Sequence, residues 1–374
     1  MKNNSNHPSF SVLHVATALS WRGGEQQVAY LADELKKHHV RQYILCSAGS
    51  AMEQHCIKNG IPFFTSNKRS SFDLTYAKKI KDLCITNNID LVHTHDSHAH
   101  TFAVVAALFG NKAKIMVSRR VDFKVSSSPV SRYKYNHPLV GRILCVSDKI
   151  KDIVLDAIDD SLKVVTVHSG IDISKFDGKV NTGKLHKEFK LSADTKIIAN
   201  VSALAPHKDY TTFINTVDLL KDKLSNTVFF IIGEGSEKEA IEKLIAEKSL
   251  QNLIFMTGFR DDIPEIMPEI DLLLITSETE GLGTTILDAF ACNVPVVATA
   301  AGGIPEIVVH QQTGLLAQVR DTAGLAENVF LMMNDYPLRL KLTAGAKAHL
   351  TEFTKESTAL KTMREYLAVT GSDL

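Results

Sequence analysis

Short β-rich runs alternate with amphipathic helical stretches along nearly the whole chain, and the alternation starts afresh after about residue 190. In the first part the runs are Ser11 to Ala18, Gln42 to Ser47, Pro62 to Thr65, Leu91 to Thr94, Ala113 to Ser118 and Arg142 to Val146. In the second they are Lys196 to Val201, Thr227 to Gly233, Leu253 to Met256, Leu272 to Thr276, Pro295 to Ala298 and Gly314 to Leu316. Strands separated by helices imply parallel sheets covered on both faces. A length of 374 residues suits two such units better than one. The expected fold class is therefore α/β, with two Rossmann-like, doubly wound domains. The expected division is 1–185 and 186–352, with a last segment, 353–374, as a helix returning to the first domain. The stretch Ser169 to Leu191, rich in Gly, Asp and Lys, reads as the linker. No repeat of 20–50 residues is present, which excludes a solenoid.

The opening residues, Met1 to Ser11, are polar and lack the apolar core of a signal peptide. No apolar run approaches the ~20 residues of a membrane-spanning helix. Five scattered cysteines form no Cys-x-x-Cys pair, so a reducing compartment, the cytoplasm, is expected. Charge is balanced overall but not along the chain. Residues up to 190 hold 27 Lys+Arg and 17 Asp+Glu; those beyond hold 15 and 25. The basic half suits an anionic acceptor or the inner face of an anionic membrane, or the two halves simply attract each other. Nothing in this pattern points to nucleic acid.

Ligands of open parallel sheets bind beyond the carboxyl ends of the strands, so motifs just after strands carry the most information. With two such sheets, the expected site is the cleft where those ends face each other. The strongest motif runs from Thr276 to Cys292. A buried strand gives way to Glu280-Gly281-Leu282-Gly283-Thr284, and an apolar helix follows. Glycines let the backbone approach a ligand, and the first helical turn offers unpaired N–H groups to a phosphate. Asp288 is the one acid inside that apolar helix, and a buried carboxylate needs a partner. Ribose hydroxyls would satisfy it; so would protein groups or water.

This block resembles the signature of the retaining glycosyltransferases of family 4, which have the GT-B fold: a glutamate, seven residues, then a second acid. Glu280 and Asp288 stand at those positions, and Gly302-Gly303-Ile304-Pro305-Glu306 and Thr313-Gly314-Leu315-Leu316 continue the likeness. The resemblance implies that Glu280 contacts the donor sugar and Asp288 the ribose. Gly281, Leu282, Gly283 and Thr284 would then frame the diphosphate. Lys208 matches the family's diphosphate lysine, but Ala203 stands where an arginine is usual. His207, Arg119 and Arg120 are candidates to supply the missing cation. The second acid is Asp instead of the usual Glu, shorter by roughly 1.5 Å. Gly233 and Gly235, with Phe259 and Arg260, match loops that border the nucleotide.

In the first half, Arg22-Gly23-Gly24-Glu25 follows the first strand and looks like the family's glycine loop, with Gly24 near the donor. The run His93-Thr94-His95-Asp96-Ser97-His98-Ala99-His100 has residue types that ligate zinc. It also resembles the family's His-x-His, in which the second histidine, here His95, bonds the donor sugar. Arg22, Asp96, Arg119 and Arg120 are candidates for acceptor or phosphate contact. The resemblance implies a UDP- or GDP-sugar co-substrate, no metal or other cofactor, and transfer of a hexose-type sugar with retention, His95 and Lys208 assisting Glu280. The implied acceptor is a glycan or lipid-linked molecule, as in bacterial surface polysaccharide or lipopolysaccharide assembly. Two rivals are a nucleotide-sugar epimerase and a non-catalytic nucleotide-sugar-binding partner of another transferase.

Overall fold

The computed structural model describes residues 10–68, 70 and 72–371. The chain divides into two compact units. One runs to Gly170 and resumes at Lys355; the other is Ile171–Thr354.

The first unit holds seven strands: β1 (Ser11–Ala16), β2 (Arg41–Cys46), β3 (Phe63–Thr65), β4 (Leu91–Thr94), β5 (Lys114–Arg119), β6 (Val140–Cys145) and β7 (Val164–Thr166). They lie in the order β3-β2-β1-β4-β5-β6-β7 and every pairing is parallel. All six residues of β1 are buried, so it reads as an apolar run and not as an alternation. β7 is absent from the runs expected from the sequence. Helix starts are set by side-chain caps: Ser50, Asp73 and Asp96 each accept from backbone N–H groups of the following turn.

The second unit holds β8 (Lys196–Val201), β9 (Thr227–Ile232), β10 (Ile254–Gly258), β11 (Leu272–Ile275), β12 (Val296–Thr299) and β13 (Leu315–Ala317). Their order, β10-β9-β8-β11-β12-β13, is again wholly parallel. Each unit thus has its own topological switch point, between β1 and β4 and between β8 and β11. There the chain leaves neighbouring strands in opposite directions and opens a crevice for a ligand.

The unit boundary falls after Gly170 and not at 185. The reason is that the expected linker is folded into the second unit. The Ile171 N–H donates to Phe353 O at 2.9 Å. Leu185 is fully buried in a short helix, Lys184–Glu188. The N–H groups of Leu185 and His186 donate to the Glu269 carboxylate at 2.9 and 2.7 Å. The last helix, Lys355–Thr370, packs on the first helix, Gly23–Lys37. Ala359, Met363 and Tyr366 join Phe10, Leu31 and Leu35 in one apolar cluster.

Candidate functional site

In the second unit the loops leaving β8 and β11 are joined into one surface. The first passes over Gly233 and Gly235, where a side chain would collide with it: a Cβ would lie 2.0 Å from Ser202 O and 2.2 Å from Leu204 O respectively. Leu204 N–H donates to Glu234 O at 2.9 Å. The Thr276 hydroxyl donates to the carbonyls of Lys208 and Asp209 (3.1 and 3.0 Å), and Glu278 N–H donates to His207 O (2.8 Å). These bonds bring Lys208 to Glu280, and the two form an ion pair in which both side chains are largely buried. Glu280 is held from behind as well. Gly303 N–H donates to its carbonyl at 2.9 Å, and a Cβ on Gly302 would lie 1.9 Å from that oxygen.

Gly281, Leu282 and Gly283 follow directly. Gly283 takes φ 89°, a left-handed conformation that favours glycine, and starts the helix Thr284–Ala291. Leu282, Ile286 and Leu287 bury their side chains and fix that helix in place. Its first turn, at Thr284, presents N–H groups and the positive end of the helix dipole four residues beyond Glu280, whose carboxylate holds the Lys208 ammonium. The lysine and the helix start both adjoin Glu280, an arrangement suited to a diphosphate.

Asp288 is partly buried one turn further on, and its carboxylate makes no hydrogen bond among the described residues. Burial raises its carboxyl to about 7, opposed by the charge of Lys175. Ala203 and His207 are exposed on the β8 loop. Phe259 is 69% exposed, whereas its neighbour Arg260 is committed elsewhere. The Arg260 guanidinium donates to Asp262 at 2.8 and 2.7 Å and to Glu188 at 2.7 and 2.8 Å. Any part it has in holding a base falls to its backbone.

The switch point of the first unit is built from neutral histidines and one arginine. His14 on β1 and His95 after β4 share a hydrogen bond of 3.0 Å between Nδ1 and Nε2. Arg120 donates to His95 Nδ1 at 3.4 Å. Arginine only donates, so His95 Nε2 carries the proton and donates to His14. His93 bonds Tyr366 Oη at 2.6 Å and Ser118 Oγ at 2.8 Å. Burial pushes His14 down to about 3 and holds His93 and His95 well below the ordinary histidine range. The histidines that cluster are His14, His93 and His95, with ligand atoms within 4.8 Å of one another, and not the four of the run at 93–100. His100 turns away to Lys134 O. Hydrogen bonds already use the lone pairs of His14 and His95 that a metal would need.

Asp96 is a capping residue. Its carboxylate accepts from Thr17 N–H and hydroxyl (2.7 and 3.0 Å) and from His98 and Ala99 N–H (3.0 and 2.9 Å), which leaves little for an acceptor. Arg119 turns toward Tyr135 and Phe123 O, whereas Arg120 turns toward His95. Arg22 is exposed, and its N–H donates to Glu25 at 3.1 Å. At Gly23 and Gly24 an added Cβ would meet nothing within 4 Å. The residue that sequence reasoning missed is His14. The available signal was a lone histidine in the middle of an apolar strand.

Two wholly parallel Rossmann-like units with these loops define a glycosyltransferase of the GT-B type. The second half, residues 181–349, matches the family model "Glycosyl transferases group 1", and residues 21–175 match "Glycosyltransferase Family 4". The chain belongs to the family 4 glycosyltransferases. It is 25% identical over 324 residues to N-acetyl-alpha-D-glucosaminyl L-malate synthase of Bacillus anthracis, covering 80% of this chain and 84% of that one. It is 24% identical over 271 residues to 2-deoxystreptamine N-acetyl-D-glucosaminyltransferase of Niallia circulans, covering 67% and 68%. Among solved structures, a Rickettsia africae glycosyltransferase superimposes with a TM-score of 0.85 at 22% identity, over 96% of this chain and 98% of that one. Anabaena HepE in complex with UDP and glucose does so with a TM-score of 0.83 at 19% identity, over 96% and 99%.

Proposed function

We propose that the chain transfers a hexose-type sugar, with retention of anomeric configuration, from a UDP-sugar to an acceptor bearing a hydroxyl. The observation that carries this reading is the Lys208–Glu280 ion pair beside the helix start at Thr284. In the resting site each charge neutralises the other. A diphosphate arriving at the helix start takes Lys208 as its counterion, and the freed Glu280 carboxylate then accepts from a sugar hydroxyl. Negative charge developing on the departing diphosphate is met by groups already in place, so no metal or other cofactor is required. No separate carboxylate base is needed if the acceptor proton passes to a phosphate oxygen on the face the diphosphate leaves. Asp288 holds the ribose, Phe259 flanks the base, and His95 contributes on the first unit.

UDP is favoured over GDP because HepE was solved with UDP and glucose. N-Acetylglucosamine is the first sugar to try, since the relatives named above are N-acetylglucosaminyl enzymes. A glycan or lipid-linked acceptor of a bacterial surface polysaccharide, met at the inner face of the cytoplasmic membrane, completes the reading. No helix among the described residues is long and apolar enough to cross a membrane.

A panel of nucleotide-sugars in a thermal-melting assay tests the donor, because a bound ligand stabilises the fold by mass action. The expected result is a selective rise with one UDP-sugar, and slow hydrolysis of that donor abolished in Glu280→Ala. Conversion of the donor to its epimer without acceptor identifies an epimerase. UDP binding without hydrolysis or transfer identifies a non-catalytic partner. Either outcome overturns the proposal.

A further inference from the structure

Arg120 lies just after β5, at the carboxyl edge of the first sheet, and faces a small recess of about 20 Å³ that is partly open to solvent. Gln27, His93, Ser118, Ser169, Thr358 and Thr362 supply its polar lining, and no acid lines it. The guanidinium reaches only the carbonyl and Nδ1 of His95, both at 3.4 Å. Its Nε is buried with no partner among the described residues. The acids that influence it, Glu25 and Asp96, act from a distance and hydrogen-bond elsewhere. Burial lowers Arg120 to about 10, the direction expected of a cation without a counterion in contact. Ser169, a buried residue, lines the same recess.

A partly buried cation that spends its donors on a neutral ring and leaves its buried Nε unpaired is costly unless something else completes it. A guanidinium is a planar fork matched to a carboxylate or a phosphate. We propose that Arg120, with Ser169 beside it, receives an anionic group of the acceptor, a carboxylate or a phosphate, and so selects charged acceptors over neutral ones. This inference rests on the reading of the chain as a sugar transferase whose acceptor meets the first unit. Arg119 takes no part, because its guanidinium turns to Tyr135 and Phe123 O.

The test titrates inorganic phosphate and malonate separately into the full-length chain at constant ionic strength, following melting temperature and heat of binding. Phosphate acting alone indicates a phosphorylated acceptor, malonate alone a carboxylated one. Either anion is expected to stabilise the wild type saturably, and its affinity to fall about tenfold or more in Arg120→Gln. Ser169→Ala is expected to weaken it less, and decides the matter if Arg120→Gln does not fold. Arg120→Lys, which keeps the charge but not the fork, is expected to fall between wild type and Arg120→Gln. Stabilisation by UDP, measured in parallel, reports the donor site: its loss in the wild type sinks the functional reading, not this one. The inference is overturned if neither anion stabilises the wild type beyond chloride, or if Arg120→Gln (or Ser169→Ala, where that variant decides) binds as well as the wild type.

Discussion

The two units share one strand order but treat their switch points in opposite ways. In the second unit the switch-point charges are paired, Lys208 with Glu280, and glycines are packed so closely that Gly233, Gly235 and Gly302 admit no side chain. In the first unit the switch point holds three neutral histidines and a partly buried arginine, and Gly23 and Gly24 face open space. Every buried side-chain polar atom without a partner, among the described residues, belongs to the first unit: on His14, Gln42, Tyr76, His100, Asn111, Arg119 and Arg120. The difference teaches that the second unit pairs its fully buried polar side chains within itself. The first leaves hydrogen-bonding capacity for something else to fill.

Breaking the glycine contrast should give the largest effect. Gly302→Ala places a methyl against Glu280 O and is expected to cost about 3 kcal/mol or more, read from denaturant melts. Gly24→Ala is expected to leave stability nearly unchanged while reducing turnover; equal destabilisation of both would erase the contrast. Next comes the charge pair: Lys208→Ala is expected to lower donor turnover about 10²-fold or more, measured with the UDP-sugar found in the melting panel.

Asp288 gives a smaller, pH-dependent effect. Its proton is held more tightly folded than unfolded, so ionisation weakens the fold as pH rises from the ordinary carboxylate range through about 7. Asp288→Asn should flatten that decline in melting temperature against pH. Ribose hydroxyls favour the ionised form, so UDP-sugar affinity should rise with pH through about 7 in the wild type and not in Asp288→Asn. The smallest expected change is a gain. Ala203 is exposed and has room for the family's arginine, so Ala203→Arg should tighten the donor several-fold, roughly one charge-assisted hydrogen bond. No gain in calorimetry would place that position away from the diphosphate.

Most of the second unit is legible in the sequence because its function rests on backbone. Tight glycines, a strand end and a helix start leave marks at fixed spacing, and Glu280, Gly283 and Lys208 come together as their positions require. Arg260 shows the limit: a loop position can be read, but its guanidinium is claimed by Asp262 and Glu188, which the loop pattern does not reveal. The first unit is harder because its site depends on side chains from distant segments. His14 lies within β1 and His95 and Arg120 follow two other strands, and Tyr366 arrives from the last helix, 273 residues after His93. Asp96, a candidate for acceptor or phosphate contact in the sequence, is a helix cap in the fold. The unit boundary was misplaced for a similar reason, since Leu185 and Glu269 meet only after folding.

The claim on which the rest depends is that a pyrophosphate is gripped by the Lys208 ammonium and the helix start at Thr284. Calorimetric titration of UDP into the wild type and Lys208→Ala, at matched ionic strength, tests it most directly. Saturable wild-type binding that weakens about tenfold or more in the variant is the predicted result. Equal affinity in the two proteins, or no binding by the wild type, would contradict it.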